Sequence, residues 1–314
     1  IATGSQTKFL PIEGAHCEGV VTSTEMLNLT EVPRRLCVIG GGVIGLEFAG
    51  IYRSFGSEVT VVEYCKEILP NFDRDIAKRL RTSLKKRGIT FKTGAAVTAV
   101  RPTDGGYSVF YEEKGKESST EADLVLMAVG RAAHLKSLNL DDIGVAYTPR
   151  GITVDENMQT NVPGVYAIGD INGLCQLAHA ATFQGFRAVN HICGTTDEIR
   201  LDIVPAAVFT VPEAACVGLT EEQAAERGIA YTAHKAFYRA NGKALTMDAD
   251  DGLAKILCDE QGHIVGAHIL GAHAADLIHE VAVLMNANAT IAELSRCIHA
   301  HPALSEILLA AAQA

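Results

Sequence analysis

Two histidines, a proline and a glutamate share one short stretch near residue 300, HAHPALSE, running from His299 to Glu306. Pro302 disfavours helical backbone at His301 and is suited to the first turn of a helix that follows. Helical side chains lean toward the N-terminus of their helix, so Glu306 can reach back to the His301 imidazole. A carboxylate so placed fixes the tautomer and suits the ring to general acid/base chemistry near neutral pH. The same residues also describe a plain helix start preceded by a histidine. For His299, two positions away, a packing or supporting role is expected.

A second constellation fits a dinucleotide. Gly40, Gly42 and Gly45 form G-x-G-x-x-G within RRLCVIGGGVIGLEFAG. The first glycine permits a tight turn, the second lets a pyrophosphate approach the backbone, and the third lets helix pack closely on strand. The helix N-terminus then faces the phosphates. Alone, three glycines describe any glycine-rich turn. Glu63 adds to them, because it closes the run EVTVVE at the spacing where a carboxylate accepts from a ribose 2′-hydroxyl and repels a 2′-phosphate. The pair of features points to NAD rather than NADP.

The elements that must position these groups follow from the pattern. The apolar run Leu36 to Ile39 enters the glycines, an apolar helical stretch runs from Val43 to Phe55, Gly56 ends it, and EVTVVE is a second strand: a βαβ opening. A helix near Asp73 to Arg87 leads to GITFKTGAAVTAV, after which YSVFYEEKGKESSTEADLVLMAVG alternates as antiparallel strands inserted in a parallel unit. Gly130, in AVGR, stands at a strand end, where doubly wound folds bind ligands and where ordinary turns also fall. GVYAIGD reads as a buried strand ending in Asp170, a carboxylate able to meet a cofactor hydroxyl or to cap the next turn. From Leu201 onward the composition shifts to a separate α+β domain: VPAAVFTVPEAACVG as strand, TEEQAAERG as a helix with Thr220 and Gln223 in capping-box spacing, a hairpin at GLAKILCDEQGHIVGAHILG, and two or three closing helices.

Composition limits the partners. Apolar residues make up 48% and charged residues 20% of 314, enough for a sizeable core in about two domains. A net charge of −10 with scattered Lys and Arg argues against nucleic acid and anionic membrane as partners. No apolar run approaches the roughly 18 residues of a membrane span. The eight cysteines are widely spread without C-x-x-C, which suggests neither a metal site nor a disulfide framework and fits a reducing, intracellular setting.

Read in order, ATGS, IGGGVIGLE, VTVVE, AVGR, VYAIGD, LAHAA, VFTVPEAACVGLTEEQ and HAHPALSE resemble the flavoprotein disulfide reductases (class I pyridine nucleotide-disulfide oxidoreductases), the dihydrolipoyl dehydrogenase branch above all, over essentially the whole chain. The resemblance implies an α/β fold. A remnant of an FAD-binding Rossmann-type domain (1–24) precedes a Rossmann-type NAD-binding domain with an antiparallel insertion (25–147). The rest of the FAD domain (148–202) and an α+β dimerisation domain (203–314) follow. It implies that Gly40, Gly41, Gly42, Val43, Ile44, Gly45, Leu46 and Glu47, with Glu63, Val97 and Gly130, lie along NAD. Thr3, Gly4, Ser5, Asp170, Leu177, Ala178 and His179 would hold FAD. His301 would exchange a proton with the thiols of dihydrolipoamide, and Glu306 would orient it. The implied partners are a second copy of the chain and the lipoyl domain of a 2-oxo acid dehydrogenase or glycine cleavage complex, in the cytoplasm or a mitochondrial matrix.

The family's redox disulfide, C-x-x-x-x-C, and its separate FAD glycine fingerprint do not occur here, since no two cysteines are five apart. The resemblance therefore carries the expectation of an N-terminally truncated chain that alone neither holds FAD tightly nor reduces lipoamide. Glu47 agrees with it, because the family's corresponding glutamate pairs with a lysine just after that disulfide. Ala303 stands where the family usually has threonine, a lost capping hydroxyl costing about 1 kcal/mol. Ala132 and Ala133 replace a usual proline-asparagine after Arg131. Glutathione-type reductases prefer NADPH, against which Glu63 argues, and mercuric reductases carry a C-terminal cysteine pair. A non-catalytic NAD-binding and dimerisation module is the reading from a different class.

Overall fold

The computed structural model describes residues 1–136 and 138–314. The chain folds into two compact units, each made of two stretches: residues 1–8 with 130–204, and residues 9–129 with 205–314.

In chain order, strand β1 (Ser5–Thr7) opens the first unit, so the backbone of ATGS becomes strand only at its serine. The second unit then begins with β2 (Val20–Val21) and a one-turn α1 (Ser23–Met26), and continues through β3 (Arg35–Ile39), α2 (Val43–Ser54), β4 (Glu58–Glu63), α3 (Arg74–Lys86) and β5 (Thr90–Thr93). Three antiparallel strands follow, β6 (Ala95–Thr103), β7 (Gly106–Glu113) and β8 (Lys116–Ala122), and the chain returns as β9 (Leu124–Met127). Strands β2, β9, β3, β4 and β5 lie side by side in that order, all parallel. Parallel strands are covered on both faces, which is why LCVI in β3 is apolar without alternation and fully buried. In α2 the buried positions Leu46, Ala49 and Tyr52 fall on one face, and in α3 Ile76, Ala77, Leu80 and Leu84 do the same.

The first unit resumes with β10 (Arg131–Ala133), antiparallel to β1, then β11 (Tyr147–Thr148), β12 (Gly151–Ile152), a 3₁₀ turn at Gly169–Asn172 and α4 (Ala178–Ile192). GVYAIGD does not form the expected strand. Its contribution is a single bridge between Tyr166 and Gln159, and the Ile168 N–H bonds the Ile1 carbonyl, a contact too short to make a ladder.

The second unit closes with β13 (Ala206–Val208), β14 (Glu213–Gly218), α5 (Glu221–Glu226), β15 (Thr232–Phe237), α6 (Gly242–Thr246), β16 (Leu253–Cys258), β17 (Ile264–Gly271), α7 (Ala274–Asn286), α8 (Ile291–Leu294) and α9 (Glu306–Ala312). The Thr220–Gln223 capping box and the β16–β17 hairpin form as expected. The antiparallel sheet runs β13-β14-β17-β16-β15. It shares one core with the parallel sheet, in which Leu36, Val38 and Leu46 pack in the same cluster as Val208, Leu253 and Leu270.

A buried ion cluster crosses the same seam. Lys255, 1% exposed on β16, places Nζ 2.6 Å from Asp73, the residue capping α3, and 2.9 Å from Asp75. Lys235 on β15 reaches Asp75 at 2.8 Å. Burial opposes the charge on Lys255, but the hydrogen bonds it donates to Asp73 and Asp75 hold its pKa above the ordinary lysine value. His268, in register with Lys255 and fully buried, donates from Nε2 to the Leu219 carbonyl oxygen, and burial keeps its pKa below that of a free imidazole.

Candidate nucleotide loop and acid/base pair

The glycines of the loop after β3 carry separable burdens. Gly40 has φ +110°, and a Cβ there would lie 2.4 Å from the Ala128 carbonyl oxygen. A Cβ on Gly45 would lie 2.1 Å from the Gly40 carbonyl oxygen, so both positions exclude a side chain. Gly42 differs, because nothing stands within 4 Å of a Cβ built there. It caps α2 with extended backbone and without a side-chain hydrogen bond, leaving the helix start to other partners. Glu63 is buried at the end of β4, where Oε2 accepts the Gly41 N–H at 2.5 Å and Oε1 accepts the Cys65 N–H at 2.6 Å. Each oxygen keeps a lone pair for a further donor. An open Gly42 and an anchored carboxylate are the cradle a dinucleotide with a free ribose hydroxyl requires, so the residues fit NAD.

Val43, Ile44 and Leu46 lie in the first turns of α2, with Leu46 buried and Val43 exposed. Val97 sits at a bulge of β6 and packs against the core cluster that includes Ile39, Val62 and Met127. Glu47 accepts the Phe209 N–H at 2.9 Å, and its burial pushes its carboxyl above the usual range.

Also in the second unit, His301 Nδ1 and Glu306 Oε1 are 3.0 Å apart. The imidazole is 77% exposed and the carboxylate 26%. The helix does not start at Pro302; α9 begins at Glu306 itself, after the cap residue Ser305. Glu306 folds back over the preceding loop, taking the Ala303 N–H at 2.9 Å as well as the imidazole, so residues 301–303 stay outside the helix. That amide first, and His301 second, hold the Glu306 carboxyl below the ordinary range. His299 points the other way. Its ring is nearly buried, with Nε2 2.9 Å from Glu280 on α7 and Nδ1 3.0 Å from the Cys297 carbonyl oxygen. His299 is thus tied to α7 and not to Glu306.

Within the first unit, Ser5 Oγ donates to Asp170 Oδ2 at 2.5 Å, and Arg131 donates to Ser5 Oγ at 2.6 Å and to its carbonyl oxygen at 2.7 Å. Gly4 has φ +72°, its carbonyl oxygen accepts the His134 N–H, and Thr3 Oγ1 donates to the His134 carbonyl oxygen. Gly130, φ +104°, belongs to this unit. Leu177, Ala178 and His179 form the start of α4, whose cap residue Leu177 makes no side-chain cap hydrogen bond. Asp170 already accepts a hydroxyl, which is the chemistry a flavin's sugar-alcohol chain offers. Nothing in AVGR itself signals the contact of Arg131 with Ser5. Asn241, which bonds the loop before α9, carries no sequence signal at all.

The description "Pyridine nucleotide-disulphide oxidoreductase" fits residues 1–185, and the dimerisation domain of the same group fits residues 204–312. The chain belongs to the pyridine nucleotide-disulphide oxidoreductase family. It is 42% identical over 318 residues to the mitochondrial dihydrolipoyl dehydrogenase of Pisum sativum, covering all of this chain and 64% of that protein. It is 42% identical to the leghemoglobin reductase of Glycine max, covering 61% of it. The chain therefore spans under two thirds of the length of these two relatives. Among solved structures, LpdA from Mycobacterium tuberculosis superposes with a TM-score of 0.89 at 31% identity, over 99% of this chain and 68% of that one. Among the described residues no helix is long and apolar enough to cross a membrane.

Proposed function

We propose that the chain supplies the NAD-binding loop and the acid/base pair of a dihydrolipoyl dehydrogenase, which oxidises dihydrolipoamide with NAD⁺. The 3.0 Å contact between His301 Nδ1 and Glu306 carries this reading. With Nδ1 turned to the carboxylate, Nε2 is the nitrogen left to take a proton from a substrate thiol. Glu306, kept ionised by the Ala303 amide, balances the charge that the imidazole then gains. FAD, held by Thr3, Gly4, Ser5, Asp170 and the start of α4 at Leu177, Ala178 and His179, would supply two-electron transfer between a dithiol and a nicotinamide. Gly40 to Glu47, Glu63, Val97 and Gly130 would bind that nicotinamide's dinucleotide, with Glu63 selecting NAD.

The reactive disulfide this reading requires is assigned to the part of the relatives' length that this chain does not span. Residues 203–314 would pair two copies of the chain, and the electron donor would be a lipoyl domain of a 2-oxo acid dehydrogenase or glycine cleavage complex, in the cytoplasm or a mitochondrial matrix. In the flavin-containing enzyme, His301→Ala should lower dihydrolipoamide oxidation by about 10²–10⁴-fold while NADH-to-dye electron transfer persists. Unchanged lipoamide turnover would remove His301 from the mechanism.

A further inference from the structure

Asn241 lies between β15 and α6, is 6% exposed, and belongs to no recognised motif. Its amide makes three hydrogen bonds with two destinations. Oδ1 accepts the Ala244 N–H at 3.0 Å and so caps α6. Nδ2 faces two carbonyl oxygens, those of Ala303 at 3.1 Å and Leu304 at 3.4 Å. Only this orientation satisfies the group, because the flipped amide would set its NH₂ against an N–H and its oxygen against two carbonyls.

The peptides that Asn241 holds are those on which the acid/base pair depends. The Ala303 carbonyl is tied to Asn241, the Ala303 N–H is tied to Glu306 Oε2, and Glu306 Oε1 is tied to His301 Nδ1. Residues 301–305 have no regular secondary structure of their own, so the loop's placement comes from such side-chain ties. The Glu280–His299 contact anchors the loop on its other side. We propose that Asn241 is a positioning residue for the His301–Glu306 pair, acting through the Ala303 peptide. The proposal rests on the reading of His301 as the acid/base group, but its decisive test does not.

Asn241→Asp separates the two ends of the side chain. Aspartate keeps an acceptor for the Ala244 N–H and is a strong helix cap, while it replaces the donor by an anion facing two carbonyls. The Glu306 carboxyl is followed by ¹³C NMR through a pH titration, together with the ¹⁵N shifts of the His301 ring. The expected result is a folded protein in which the Glu306 titration moves upward by about half a unit or more as the Ala303 amide is lost to it. The aspartate's own charge also raises a nearby carboxyl, so the deciding titration is that of the neutral Asn241→Ser, which keeps a capping oxygen and lacks the amide NH₂. A cap that merely stabilises α6 would change the melting temperature of that variant and leave its Glu306 titration in place, and an unmoved titration overturns the proposal. In the flavin-containing enzyme the variant should lower kcat for dihydrolipoamide with little change in KM. If His301→Ala leaves turnover intact while Asn241→Ser still moves the Glu306 titration, the functional reading fails and the positioning stands. The reverse pair of outcomes removes Asn241 alone.

Discussion

Glu63 and Gly41 are joined by a 2.5 Å hydrogen bond from the glycine amide to the carboxylate, so the end of β4 and the loop after β3 form one unit. The carboxylate proposed to recognise a ribose also fixes the loop proposed to hold the phosphates. Glu63→Ala should therefore weaken NADH binding by about 10–100-fold, and Glu63→Gln, which keeps an acceptor for the amide, by less. Calorimetric titration with NADH and NADPH reads both. An alanine variant that binds NADH as well as the parent would exclude Glu63 from the site.

The glycines predict opposite phenotypes. Gly40→Ala and Gly45→Ala would each drive a methyl group against a backbone carbonyl, with large losses of stability expected by thermal melting. Gly42→Ala meets open space. That protein should melt near the parent temperature and bind NADH more weakly, because the added methyl lies on the face a pyrophosphate must approach.

The ion cluster should give stability a defined pH dependence. The folded state disfavours protonation of buried His268, so its contribution is full above about pH 6.5 and falls as the pH drops below it. Asp75, whose carboxyl Lys235 and then Lys255 hold well down, adds a second loss below about pH 4. Lys255, with its pKa raised, loses its contribution only as the pH rises past about 10.4. Lys255→Met should cost about 3–5 kcal/mol at neutral pH by leaving Asp73 buried without its cation. Urea unfolding across pH 3–8 checks the profile; a flat curve between pH 7 and 5 would remove His268 from it.

Thiol chemistry gives an independent check on burial. Cys193 and Cys297 are exposed, while burial pushes the Cys37 and Cys216 thiols up to about 12. Under native conditions an aromatic disulfide reagent should modify Cys193 and Cys297 first and leave Cys37 and Cys216 untouched until denaturant is added.

What could be read from the sequence was local. Gly40 and Gly45 announce themselves because their constraint is backbone sterics within a few residues, and Glu306 lies close enough to His301 for helix geometry to suggest the contact. Pro302 misled, since a proline suits a helix start and nothing nearby shows that Glu306 would fold back over the loop and delay the helix. GVYAIGD misled for a related reason: an apolar run ending in Gly-Asp has the composition of a strand, but a strand needs a neighbour, and the neighbour is not in the run. Lys255 sits in a hairpin that its sequence makes plain, yet its partner Asp73 is 182 residues away. Asn241 is 62 residues from the peptide it holds.

The division of each unit between two stretches of chain has a consequence for synthesis. Ser5 meets the Arg131 side chain that fixes it only after 126 further residues, and Asp170 only after 165. At roughly 5–20 residues per second, strand β1 waits on the order of 6–25 s before β10 leaves the ribosome. In that interval β2 to β9 are made in full and can collapse around their own sheet. Strand β1 thus waits on β10, and the parallel sheet of the second unit has a head start in folding over the first unit, while the antiparallel sheet that completes its core is made last.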